Sequence, residues 1–166
     1  TNGTNIPGWG TAVVGSTPPG GGTAMIYATY INGGTSANDM WIITPQITNI
    51  SLNDSLIFWI KKFPGIEYAD NVDIKISTTN NSTPASFSLT VATLVYPAVN
   101  DTAWQRKAYR LGSVSGLTDG ANIYVGFREH INDNLNDGDV IGLDLISLVG
   151  STVGINQNGT EIPAKY

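Results

Sequence analysis

The chain has no cysteine. That excludes disulfides, thiolate nucleophiles and cysteine-based zinc sites. It has one histidine, His130, which any serine–histidine–acid triad would have to use. The nearest polar companions of His130 in sequence are Arg128 and Glu129, and no Gly-x-Ser-x-Gly elbow occurs. His130 therefore reads as a surface or sheet-face residue, and the chain as no enzyme. Cations are scarce, with 8 Lys and Arg against 13 Asp and Glu and a net charge of −5. So few scattered positive charges leave little to neutralise phosphates, which argues against nucleic acid and anionic membranes as partners. No apolar run approaches the roughly 18 residues of a membrane-spanning helix, so no membrane insertion is expected. No stripe of apolar residues at helical spacing persists over three turns. Charged residues make up 13% of the chain, about half the usual share. Asn, Thr, Ser and Gly take their place, giving the neutral-polar surface common in extracellular β-proteins. The chain opens at Thr1 with neither Met nor a signal peptide and reads as a mature or excised piece of a longer protein.

What is present is turn chemistry and short apolar segments. The 166 residues, 41% hydrophobic, suffice for one domain with a real core. Residues 1–23 read as loop, with Gly and Pro throughout. Strands are expected over residues 23–31, 41–47, 55–63, 71–78, 88–96, 102–111, 122–131 and 140–149. Pro45 puts the second of these at an edge or a bulge. Residues 55–63 are apolar on both faces at first and suit a central strand, with Trp59, like Trp41, in the core. In residues 71–78, Val72, Ile74 and Ile76 alternate with Asp73, Lys75 and Ser77, the period of a half-buried strand. Ile123, Val125, Phe127 and Ile131 face inward in the same way. Short strands separated by turn-rich connections predict an all-β fold, a two-sheet sandwich or barrel. The domain is assigned to residues 1–150, with 151–166 as a C-terminal tail.

Three stretches in this order resemble a known family. Asp39-Met40-Trp41-Ile42-Ile43-Thr44-Pro45 is similar to its D-x-W-L-I-T-P strand, and Leu56-Ile57-Phe58-Trp59 to the next one. Ile123-Tyr124-Val125-Gly126-Phe127-Arg128, followed by Asp137-Gly138 and Leu143-Asp144, resembles its closing strand pair. The chain thus resembles the cleaved-adhesin, or choice-of-anchor J, domains of secreted Bacteroidota proteins, which are related in shape to MAM domains. Residues 158–166 look like the joint before a type IX secretion sorting domain. The resemblance implies an antiparallel jelly-roll sandwich of the galactose-binding type, adhesion or glycan binding, and structural calcium. It places calcium at Asp144, where Leu145 stands in the position of the family's second acid, and at Asp39.

Each of these residues has a plainer reading. Asp144 lies inside a strand apolar on both faces, where a lone carboxylate costs several kcal/mol unless hydrogen-bonded or metal-bound. Asp39 is either a hard oxygen ligand or a turn residue bonding its own backbone. Residues 132–139 imitate an EF-hand loop, but Leu135 stands at a ligand position and no helices flank it, so an acidic hairpin loop is expected. Thr102 and Ser55 fit a three-residue O-glycosylation signal of Bacteroidota. Tyr30, Tyr68, Tyr96, Trp104 and Tyr124 are candidates for stacking on sugar rings, and nothing in the sequence selects among them.

The functional expectation is an extracellular or cell-surface, non-catalytic module for adhesion or carbohydrate binding. Its partner would be a glycan or a host or cell-surface protein. The alternatives are a self-associating subunit of a surface layer or fibre, and an ancillary domain of a secreted protease or glycosidase.

Overall fold

The computed structural model describes residues 9–13, 15–29, 38–63, 68–96, 103–131 and 140–150. Nine strands occur among them: β1 (Trp9–Val13), β2 (Ala24–Thr29), β3 (Asn38–Ile43), β4 (Ser55–Lys62), β5 (Asp70–Ser77), β6 (Leu89–Tyr96), β7 (Gln105–Arg110), β8 (Tyr124–Ile131) and β9 (Val140–Val149). They form a five-stranded sheet, β1-β2-β9-β4-β7, and a four-stranded sheet, β3-β8-β5-β6, with antiparallel pairing throughout. The chain crosses between the sheets at almost every connection, as in a jelly roll, and the expected all-β sandwich is what forms. The only helical pieces among the described residues are two 3-10 turns, Pro84–Ser86 and Leu111–Ser113.

The period-two pattern sets the layers. Leu56, Phe58 and Ile60 of β4 meet Val72, Ile74 and Ile76 of β5 and Val125 and Phe127 of β8 in one buried cluster. The β4 strand is central, between β9 and β7, as its two-sided apolar character required. The β3 strand pairs only with β8 and stops before Thr44-Pro45, so Pro45 ends an edge strand, as expected, and Ile47 keeps one isolated bridge to Ile123.

One expectation is corrected. Residues 1–23 are not all loop, because Trp9–Val13 pairs with β2. Gly10 hid this strand from propensity, and pairing uses that glycine: a Cβ there would lie 3.1 Å from the Tyr27 ring. Residues 1–8 and 151–166, and with them the proposed tail and sorting-domain joint, lie outside the described residues.

Candidate functional site

The outer face of the four-stranded sheet is closed by its own chain. Trp41 and Ile43 point outward on β3, opposite Arg128 and Gly126 of β8. The segment before β6 folds over them and lays Phe87 on Trp41, with ring centroids 5.1 Å apart. Gly126 forms the floor, since a Cβ there would come within 3.0 Å of both rings. Trp41 is therefore buried, but in a small outer cluster with Ile43, Phe87 and Tyr124 rather than in the main core. Asn80 holds the covering segment in place: its Oδ1 accepts from the backbone of Ser82 and Thr83 and from the Ser82 and Ser86 hydroxyls. Beside the cluster, Arg128 donates to both oxygens of Asp39 (2.7 and 2.8 Å), reaches Asp73 at 3.4 Å and lies over the Trp41 ring.

That geometry settles the place of Asp39. It is a strand residue clamped by a guanidinium, not a turn residue, and it lies on the opposite sheet from Asp144. Burial works against its ionisation, but the hydrogen bonds and charge of Arg128 outweigh burial and hold its carboxyl below the usual range. His130 sits half-buried opposite Asp39 on the same outer face.

The five-stranded sheet presents a different outer face, in cross-strand rows. Tyr27, Gly142 and Lys61 make one row. Asp144, Trp59 and Arg106 make the next, then Ser147, Ile57 and Ala108, then Val149, Ser55 and Arg110. Gly142 leaves its row without a side chain. Met25, Phe63 and Trp104 fill that space; a Cβ at Gly142 would lie 2.8, 2.9 and 3.2 Å from them. Phe63 and Trp104 meet edge to face at 6.5 Å, the Lys61 ammonium sits 4.6 Å above Phe63, and Trp104 Nε1 donates to the Ser16 carbonyl.

The adjacent row carries the site. Trp59 faces away from the core, half-buried, with Arg106 exposed on one side and Asp144 half-buried on the other. Trp59 is thus no core residue, because Leu56, Phe58 and Ile60 take the inward phase. Among the described residues no carboxylate pairs with Arg106. Two neighbours of Asp144 are unusual. Between Ile57 and Trp59 the ladder slips, so that β9 carries one residue more than β4. Leu145 takes up that bulge at φ 50°, a conformation that costs a branched residue strain. Asp144 stabilises the bulge by accepting the Leu145 N–H at 2.7 Å through Oδ1. Its Oδ2 is buried with no hydrogen-bond partner and points at Gly21. Strain and an unsatisfied polar atom beside a half-exposed tryptophan are features retained at functional sites.

Of the remaining candidates, Tyr96 is buried and Tyr124 belongs to the outer cluster on the other sheet. Tyr68 is half-buried, and its carbonyl accepts from the Lys62 ammonium. Ser55 is half-buried between Arg110 and Val149. Tyr30, Thr102 and the acidic loop at 132–139 lie outside the described residues. Sequence reasoning missed Arg106. The one available signal was Gln105-Arg106-Lys107, whose alternation puts Arg106 on the face opposite Tyr109.

Solved structures share this fold. The K1 cleaved adhesin domain of Lys-gingipain from Porphyromonas gingivalis W83 superposes with a TM-score of 0.64 at 18% identity, over 89% of this chain and 86% of that domain. The fold is that of the cleaved adhesin domains. The K3 cleaved adhesin domain of the same protein gives 0.60 at 19% identity, over 86% of this chain and 91% of its own. The family 11 carbohydrate-binding module of a Clostridium thermocellum cellulosomal cellulase, Lic26A-Cel5E, gives 0.50 at 17% identity, over 89% and 91%. No family model matches the sequence, and no curated protein matches it. The cleaved-adhesin fold is therefore shared at the level of backbone architecture.

Proposed function

We propose that this chain is a non-catalytic module of an extracellular or cell-surface protein that binds glycan on the outer face of its five-stranded sheet. One observation carries the proposal: a half-exposed Trp59 next to Arg106, whose guanidinium pairs with no carboxylate among the described residues. An indole offers an apolar face to the C–H side of a pyranose, and an exposed guanidinium offers a fork of donors to its hydroxyls. The fold neighbours named as adhesin domains and carbohydrate-binding modules support this reading. Two acids that do approach each other, Asp70 and Glu129, are 0% and 1% exposed, so neither can reach a glycosidic bond or its attacking water.

The test is titration of the protein with an oligosaccharide panel, followed by Trp59→Ala and Arg106→Ala on any ligand found. Each variant is expected to weaken binding at least tenfold, about 1.4 kcal/mol, without loss of fold. Undiminished binding by Trp59→Ala would remove the site from this face. No binding by the wild-type chain to any member of the panel would sink the reading altogether.

Structural calcium at Asp144 belongs to the same proposal. The fit rests on the unpartnered Oδ2. A Cβ on Gly21 would lie 2.9 Å from it and 3.0 Å from the Pro18 carbonyl oxygen, which accepts the Gly21 N–H at 2.9 Å and keeps a second lone pair, so two hard oxygens lie close together at this glycine, with Pro18 Cδ beside them. Asp144 and Pro18 would hold the ion with water completing its shell, and its charge would neutralise the carboxylate beside Trp59. Asp39 contributes nothing, since Arg128 occupies both its oxygens. An ion held only by the native state must raise the melting midpoint. Calcium is expected to raise it, chelator to reverse the rise, and Asp144→Asn to abolish it; equal midpoints with calcium and with chelator would refute the ion.

A further inference from the structure

We propose that the β6 edge is a self-association surface, through which two copies of this chain join their four-stranded sheets by antiparallel β6–β6 pairing. Among the described residues the two sheets leave four edge strands: β1, β7, β3 and β6. An open edge offers unpaired backbone N–H and C=O groups to any other strand, and proteins usually blunt it. Three of the edges are blunted. The β1 strand has only five residues, one of them Gly10. The β7 strand carries Arg106, Lys107 and Arg110. The β3 strand carries Asp39, and Pro45 follows two residues after its end.

The β6 strand is different. Its eight residues, Leu-Thr-Val-Ala-Thr-Leu-Val-Tyr, contain no charge and no proline, and Thr90, Val91, Thr93 and Val95 are β-branched. One bulge interrupts it, where Ala92 faces Ile74 and Thr90 faces Lys75, leaving residues 92–96 in continuous register with β5. The core is also unfinished along this edge. Leu89, Val91, Ala92 and Leu94 pack on the main cluster yet stay only partly buried, whereas Val72, Ile74 and Ile76 of neighbouring β5 are fully enclosed. On the outer face Val95 is 65% exposed. A further strand would finish covering these residues and pair with the outward edge of the strand.

Charge selects the occupant. Two copies, each at −5, repel, so a two-fold contact must run along an uncharged strip. In a two-fold pairing β6 meets only its own neutral residues. The nearest charges are already satisfied within one copy: Asp73 takes Thr93 and Arg128, and Lys75 donates to Thr90. Self-pairing of β7 would instead oppose three cations to three cations. The β6 edge and the Trp59 face lie on different sheets, so a pair of chains would present two glycan sites at once and gain avidity.

Sedimentation of the chain from about 1 μM to about 1 mM should show a reversible shift from monomer to dimer. Val95→Lys and Thr93→Lys should each weaken dimerisation at least tenfold, with the far-ultraviolet spectrum and melting cooperativity unchanged, and Val95→Thr should keep the dimer. A monomer at every concentration would overturn the proposal. So would a dimer that both lysine variants leave intact, or one that forms only when a second protein donates a strand. Each readout is independent of glycan binding, so either proposal can fail alone.

Discussion

The protein should lose stability as the pH rises from 5 towards 8, and Glu129→Gln should abolish most of that loss. Glu129 lies on the inward phase of β8, 1% exposed, beside the Asp70 carboxyl, which is fully buried. Burial first, and the charge of Asp70 second, push the Glu129 carboxyl up to about 8, with Asp39 adding to the shift. Lys62, 3% exposed, donates its ammonium to the Tyr68 carbonyl, two residues before Asp70. In the unfolded chain Glu129 releases its proton near 4.5. Between that value and about 8 the folded state holds a proton that the unfolded state has lost. Stability from this group is therefore complete below the unfolded value and declines as the pH rises, by up to about 1.4 kcal/mol per unit, until the folded carboxyl ionises. A fall of a few kcal/mol between pH 5 and 8.5 corresponds to roughly 5–10 °C in the midpoint of a domain this size. Gln has the same shape and no charge to lose, so Glu129→Gln should melt at nearly the same temperature at both pH values and above wild type at the higher one. Asp39 acts outside this window, because its contribution is lost only as the pH falls below the ordinary carboxylate range. A wild-type midpoint that is flat or rises over the same interval would show that Glu129 is ionised in the native state.

The same residue marks how far the sequence could be read. Alternation identified β5 and β8 and put Val125 and Phe127 inside, and the same phase carries Glu129 between Phe127 and Ile131. The signal was present, and only the unlikeliness of a buried acid hid it. The fold class followed from many short strands of period two, because that pattern depends on local geometry alone. What sequence left open depends on partners far along the chain. Asp39 meets Arg128 across 89 residues. Trp41 obeys the alternation and points outward, yet is buried because Phe87 covers it. The bulge after Asp144 is a matter of register between β4 and β9, which no single strand encodes. Gly10 and Gly142 look like interruptions until Tyr27 in one case, and Phe63 and Trp104 in the other, fill the space they leave.

Adjacent residues on β4 provide the sharpest test of the face assignment, and with it of the site. Phe58 is 0% exposed. It stacks on Tyr109 of β7 with centroids 6.1 Å apart and meets Phe127 of the facing sheet edge-on at 5.1 Å, so it joins the two layers. Phe58→Ala removes that ring from a close-packed interior and should cost about 3–5 kcal/mol, a large part of the stability of a domain this size. The melting midpoint should fall by roughly 10 °C, whereas Phe58→Leu, which keeps most of the volume, should cost under about 2 kcal/mol. Trp59 has the larger side chain, yet Trp59→Ala should cost under about 2 kcal/mol, because half-burial on an outer face forfeits less transfer energy. Its loss should appear in glycan binding instead. Because strand side chains alternate, a slip of one residue would exchange the two roles completely. Thermal melts of Phe58→Ala and Trp59→Ala side by side therefore decide the matter. If Trp59→Ala proves the more destabilising, Trp59 lies in the core and the outer face of the five-stranded sheet has no aromatic platform.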